Sequence, residues 1–77
     1  MKVEIQLEGN LYWYQKDKIS KKEIEVEDGI KLRELLALLE IPDHEVQLAI
    51  VNGEIKELDY IIKSGDKIQF LPVIAGG

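Results

Sequence analysis

The sequence predicts an α+β domain in which one helix lies over one face of a sheet of four or five strands. Three observations carry this expectation. Apolar residues recur at every second position near both ends of the chain. They fall at helical spacing in one central stretch, and turn-forming residues separate the segments.

In KVEIQLE, Val3, Ile5 and Leu7 alternate with Lys2, Glu4, Gln6 and Glu8, the period of a strand with one buried face. Ile24 and Val26 alternate with Glu23, Glu25 and Glu27 in the same way. The segment between them, with Gly9, Asn10 and a lysine-rich run, reads as a long hairpin connection that makes the two strands antiparallel neighbours. The period then changes: Leu32, Leu35, Leu36 and Leu39 share one helical face. Asp28 is a good cap but lies early, whereas counting back from Glu34 puts Lys31 at the cap of a half-formed capping box. Pro42 cannot continue a helix and disfavours helical geometry at Ile41, so the helix is expected to end there.

VQLAIV reads as a strand of buried character up to Val51. Asn52 and Gly53 form a tight hairpin turn, and a short return strand follows at 54–56. After a short apolar stretch at 60–62, Ser64, Gly65 and Asp66 turn the chain into a last strand over 67–71, whose Ile68 and Phe70 share one parity and belong to the core. Pro72 lacks a backbone donor and is expected to end regular pairing. The helix covers one sheet face, and the other must meet water or a partner.

Seventy-seven residues support one core, since a chain of this size buries only about 60% of its unfolded surface. With 45% apolar and 32% charged residues, the composition is that of a folded domain. The absence of cysteine excludes disulfides, thiolate metal sites and cysteine nucleophiles, and fits a reducing cytoplasm. The N-terminal alternation lacks the apolar run of a signal peptide, and no stretch approaches the roughly 18 apolar residues of a membrane span, so a cytoplasmic protein without membrane contact is expected.

A net charge of -5 disfavours nucleic acid and suits a partner with a basic docking face. Lys16, Lys18, Lys21 and Lys22 are interrupted by Asp17 and read as a solvated loop. His44 stands alone, without the companions a metal site needs. Asp43, Glu45, Asp59 and Asp66 read as caps, turns and solvated charge rather than paired catalytic carboxylates. Leu11, Tyr12, Trp13 and Tyr14 are four apolar or aromatic residues in a row. A strand cannot bury all of them on one side, so some should finish the core edge and others form an exposed aromatic patch.

Val51, Asn52 and Gly53 in the hairpin, Ser64, Gly65 and Asp66 followed by Ile68, and the closing run from Pro72 to Gly77 together resemble the ubiquitin-like sulfur carriers of the molybdopterin-synthase small-subunit and thiazole-synthesis carrier type. The ending FLPVIAGG looks more like the former, although Val73 stands where that family often has a second proline and Gln6 where it often has an aromatic residue. The resemblance implies a β-grasp fold, with the first and last strands parallel in the middle of the sheet. It implies a single domain over 1–77, with 72–77 an extended flexible tail.

It further implies that an E1-like adenylating enzyme uses ATP to activate the carboxylate of Gly77. The activated group becomes a thiocarboxylate that a synthase subunit accepts. No cofactor would be held permanently, and the partner would supply the catalysis. Gly76, with Ala75 before it, would let bare backbone pass a narrow channel. Pro72 would stiffen the exit from the sheet, and Leu71, Val73 and Ile74 would anchor in partner pockets. The same tail would serve a protein modifier joined to a target lysine, and a β-grasp binding module could carry it incidentally.

Overall fold

The structure, a computed structural model, describes residues 1–73. The alternating segment near the start forms β1 (Lys2–Leu7), and β2 (Lys21–Glu25) returns antiparallel to it, Val3 opposite Ile24 and Ile5 opposite Lys22. The central helix α1 spans Leu32–Leu38. After it come β3 (Val46–Val51), β4 (Glu54–Lys56) and β5 (Lys67–Pro72). The strands make one sheet in the order β2-β1-β5-β3-β4, with β1 and β5 parallel and the other neighbours antiparallel. This is the mixed β-grasp sheet that the resemblance implied, with five strands.

The core forms where α1 crosses this sheet. Val3, Ile5 and Leu7 of β1, Ile68 and Phe70 of β5, and Ala49 and Val51 of β3 turn the same way, and Leu32, Leu35, Leu36 and Leu39 close over them. The helix begins where the sequence put it: Lys31 is the cap residue, and its amide donates to Glu34 Oε1 at 2.9 Å.

It ends earlier than Pro42 requires. Glu40 takes a left-handed backbone, φ 60°, and the amides of Glu40 and Ile41 fold back onto the carbonyls of Ala37 and Leu36 at 3.1 and 3.0 Å. This is the double hydrogen bond of a Schellman stop, with Ile41 buried beside Leu36. The position normally goes to glycine, and glutamate conceals it in the sequence.

The four-residue apolar run is a 3-10 helix, Leu11–Tyr14, rather than strand. Its tight turn divides the residues: Leu11 is buried and Tyr12 packs against the core, while Trp13 and Tyr14 remain 60% and 38% exposed. Gln15, buried just after it, donates to the Leu39 carbonyl at 2.7 Å and ties the long connection to the end of α1.

The expectation that Pro72 ends regular pairing is corrected. Pro72 is the last residue of β5, opposite Val46, and the amide of Val73 still donates to the Glu45 carbonyl at 3.1 Å. Successive amides point to opposite sides of a strand, so the donor that proline lacks faces β1, which has already ended at Leu7. Pro72 is therefore part of the strand.

Glu40→Gly should raise stability by about 0.5–1 kcal/mol, because it relieves a side chain held at positive φ at the helix stop. Urea unfolding measures this, and a loss of stability would mean that the Glu40 side chain contributes more than its backbone costs.

Candidate functional site

β5 runs up the middle of the sheet, and its end is fastened on both sides. On the β1 side, the Glu8 amide donates to the Phe70 carbonyl at 3.0 Å, and Gly9 follows in the left-handed region, φ 59°. A Cβ on Gly9 would stand 2.6 Å from Pro72 Cγ, so only glycine admits the proline ring at this distance. On the other side, Val73 is bonded to Glu45 in the short 3-10 turn Asp43–Glu45. Of the residues singled out in the sequence as site residues, Leu71 is half-buried, Pro72 is clamped, and Val73 is 47% exposed. Ile74, Ala75, Gly76 and Gly77 lie outside the described residues.

Leu71 belongs to a feature the sequence reading did not pick out. By register it sits opposite Leu48, while Ile50 faces Gln69 on one side and Ile55 on the other. These residues have the parity opposite to Ala49, Val51, Ile68 and Phe70, so they lie on the sheet face that α1 does not cover. Leu48, Ile50 and Leu71 are half-buried and Ile55 is 66% exposed. The result is an apolar stripe reaching the end of β5, with Gln6 and Gln69 beside it. Its signal was present: in LAIV both parities of one strand are apolar, which makes both faces apolar.

The other end of β5 is fixed by a buried carboxylate. Asp66 accepts hydrogen bonds from Asn52 Nδ2, the Tyr60 hydroxyl and the Lys63 amide, each at 2.9 Å. Asn52 Oδ1 in turn accepts from the Lys67 amide at 3.0 Å. Burial alone would raise the Asp66 carboxyl. The bonds from Lys63, Asn52 and Tyr60 outweigh it and hold the group below the usual carboxylate range. Burial and the same hydrogen bond push the Tyr60 phenol up. The sequence marked Asp66 as a turn residue or solvated charge. It is a turn residue, but one buried as the hub between the β3–β4 hairpin and β5.

Asp43 and Asp59 both pair with Arg33 on the surface, at 3.5 and 3.3 Å. Among the described residues no three His, Cys, Asp or Glu side chains converge as a metal site, and no helix is long and apolar enough to cross a membrane. What the arrangement presents is a rigid strand end beside an apolar face.

Comparison with known proteins gives a consistent picture. The family model described as the ThiS family matches residues 11–77. Among solved structures, small archaeal modifier protein 1 of Haloferax volcanii is 18% identical with a TM-score of 0.72, over 95% of this chain and 98% of that one. A putative molybdopterin converting factor subunit 1 from Pyrococcus furiosus is 18% identical with a TM-score of 0.73, over 96% and 99%. A complex of subunits 1 and 2 of the molybdopterin-converting factor from Helicobacter pylori 26695 contains a chain 26% identical, TM-score 0.61, with both chains covered fully.

Two outcomes test this geometry. Gly9→Ala should destabilise the domain by at least about 1–2 kcal/mol, from the left-handed backbone alone, and shift the amide resonances of Val73 and Glu45 as Pro72 is displaced. Unchanged stability and unchanged resonances would show that the clamp is not rigid. Asp66 contributes stability above the ordinary carboxylate range, and that contribution is lost as pH falls through its lowered folded-state value. Asp66→Asn should therefore cost about 1–3 kcal/mol at neutral pH and flatten the melting temperature against pH below about pH 4.

Proposed function

The chain belongs to the ThiS family, and we propose that it is a sulfur carrier whose C-terminal Gly77 is activated and thiolated by partner enzymes. In this reading the Gly77 carboxylate attacks the α-phosphate of ATP on an E1-like adenylating enzyme, forming an acyl adenylate and releasing pyrophosphate. A sulfur nucleophile then displaces AMP, leaving a thiocarboxylate. The acceptor is a synthase subunit of the molybdopterin-converting type, and the setting is the cytoplasm. The domain binds and presents, and the partners supply nucleotide, sulfur and catalysis.

The observation that carries this reading is the clamped end of β5 beside the apolar stripe. Leu48, Ile50, Ile55 and Leu71 give a partner about one strand-pair's width of apolar surface immediately before the tail. Val73 and Ile74 continue that character toward Ala75, Gly76 and Gly77. A partner gripping the stripe receives the tail from a fixed origin, so less orientational freedom is lost when the carboxylate enters a nucleotide site. The likeness to a molybdopterin-converting subunit found with its second subunit supports the synthase acceptor.

A second reading is favoured by the likeness to small archaeal modifier protein 1: the same adenylate is passed to a lysine of a target protein. The two readings share the activation step and differ in its product. Intact-mass analysis of protein from its own source separates them, because a carrier shows one terminal oxygen replaced by sulfur and a modifier leaves glycine remnants on other proteins.

With ATP and its activating enzyme, the parent protein should support pyrophosphate exchange. Gly76→Val should keep the parental melting curve yet lose exchange by roughly a hundredfold or more, since a β-branched side chain cannot follow bare backbone through a narrow channel. A folded Gly76→Val protein activated at the parental rate would remove the support for a tail read by its glycines.

A further inference from the structure

β2 is an edge strand, and its outer rim is open. Val26 and Met1 exchange reciprocal backbone bonds, Val26 amide to Met1 carbonyl and Met1 nitrogen to Val26 carbonyl, both 2.8 Å, and the Leu7 amide donates to the Ser20 carbonyl at 2.6 Å. The even-numbered residues of this strand thus face β1. By alternation, the amides and carbonyls of Lys21, Glu23 and Glu25 point away from the sheet. Among the described residues nothing pairs with them.

Alongside this rim lies a groove of about 700 Å³ between the end of β2 and α1. Its apolar wall is built by Val26, Ile30, Ala37 and Leu38. Leu38, at 64% exposure, is a large apolar side chain on the helix surface facing no other element of the core. It also lines the hollow beside Lys22 and Tyr14, which is otherwise largely polar. The rim at the other end is acidic, with Glu25, Glu27, Asp28 and Glu34. Asp28 lies 3.6 Å from the amino-terminal nitrogen and Glu34 accepts from the Lys31 amide, while Glu25 and Glu27 have no ion pair among the described residues.

We propose that this edge binds an extended segment of a partner protein in which apolar residues alternate with lysine or arginine. The segment pairs as an added strand with Lys21, Glu23 and Glu25. Its apolar side chains enter the groove against Ile30, Ala37 and Leu38, and its cations meet Glu25 and Glu27. Backbone pairing supplies affinity, and the alternating pockets and charges supply selectivity. A second copy of the chain fits less well. Each copy carries a net charge of -5, and antiparallel pairing of two β2 edges about Glu23, although it brings Lys21 to Glu25, sets Glu23 against Glu23 and offers the groove Lys22 in place of an apolar side chain. The site is at the β2 edge, with β1 between it and β5, so it leaves the carrier reading untouched whichever way the test falls.

The test is a titration of the full chain with the acetylated, amidated peptide KVKVKVK, followed by amide and methyl NMR at low salt. Saturable shifts are expected at the amides of Lys21, Glu23 and Glu25 and the methyls of Ile30 and Leu38. Binding should weaken roughly tenfold or more in a Glu25→Lys, Glu27→Lys double variant, and likewise in Leu38→Ser, an exposed change that spares the core. A peptide N-methylated on the residues that face β2 should fail to bind. Shifts confined to Leu48, Ile50 and Ile55, or no saturable shift up to about 1 mM peptide, overturn the proposal. So does equal binding by the N-methylated peptide or by the charge-reversed peptide EVEVEVE. Concentration-dependent sedimentation of the chain alone, with broadening at the β2 amides, overturns it in favour of self-pairing.

Discussion

β1 and β5 pair in parallel at the centre of the sheet, Ile5 beside Ile68 and Leu7 beside Phe70, and a parallel pair cannot be closed by a short turn. Everything between the two strands is the crossover. β2 therefore folds back to one side, α1 crosses over the pair, and the β3–β4 hairpin fills the other side. The pairing joins residues separated by most of the chain, so it closes a large loop before its contacts repay the entropy. Two features compensate. Its side chains are among the most deeply buried in the molecule, and both ends of β5 are tied by hydrogen bonds that do not depend on the helix.

Those ties fix the register of the strand in the middle of the sheet. A slip of one residue would turn Ile68 and Phe70 out of the core and carry Leu71 into it. At the entrance, Asp66 and Asn52 fix the position of Lys67 relative to the β3–β4 turn. At the exit, Pro72 fits only against a residue without a side chain, and Val73 is held by Glu45. Register is thus specified at both ends of β5.

The parts of this design that were legible in the sequence are those written as a period. Val3, Ile5 and Leu7 announce a half-buried strand, Leu32, Leu35, Leu36 and Leu39 a helix face, and Asn52–Gly53 a hairpin, and each forms as its spacing requires. The misreadings share a different cause: a residue type occupies a backbone state usually held by another. Glu40 does what glycine does at a helix end, and Pro72 sits in a strand because the donor it lacks has no partner there. Leu11 to Tyr14 follow a tight helical turn of a kind too short to show its own period. The burial of Asp66 depends on Tyr60 and Asn52, which only the fold brings to it. The apolar stripe was half legible, because a run such as LAIV shows that both faces are apolar but not which residues of other strands extend it.

The sheet thus offers two different kinds of surface, and their chemistry follows from its asymmetry. The open face is apolar where β3, β4 and β5 meet, with Leu48, Ile50, Ile55 and Leu71, and polar over β1, with Glu4 and Gln6. The β2 edge lies at the opposite side of the sheet, separated from β5 by β1, and it combines open backbone with charge. Charge on an edge strand ordinarily discourages indiscriminate pairing between sheets. Here the lysines stand at one end of β2 and the acids at the other, with Leu38 and Ile30 beside them. An edge so marked reads charge as well as backbone, and the acids at its far end favour a basic segment over an acidic one.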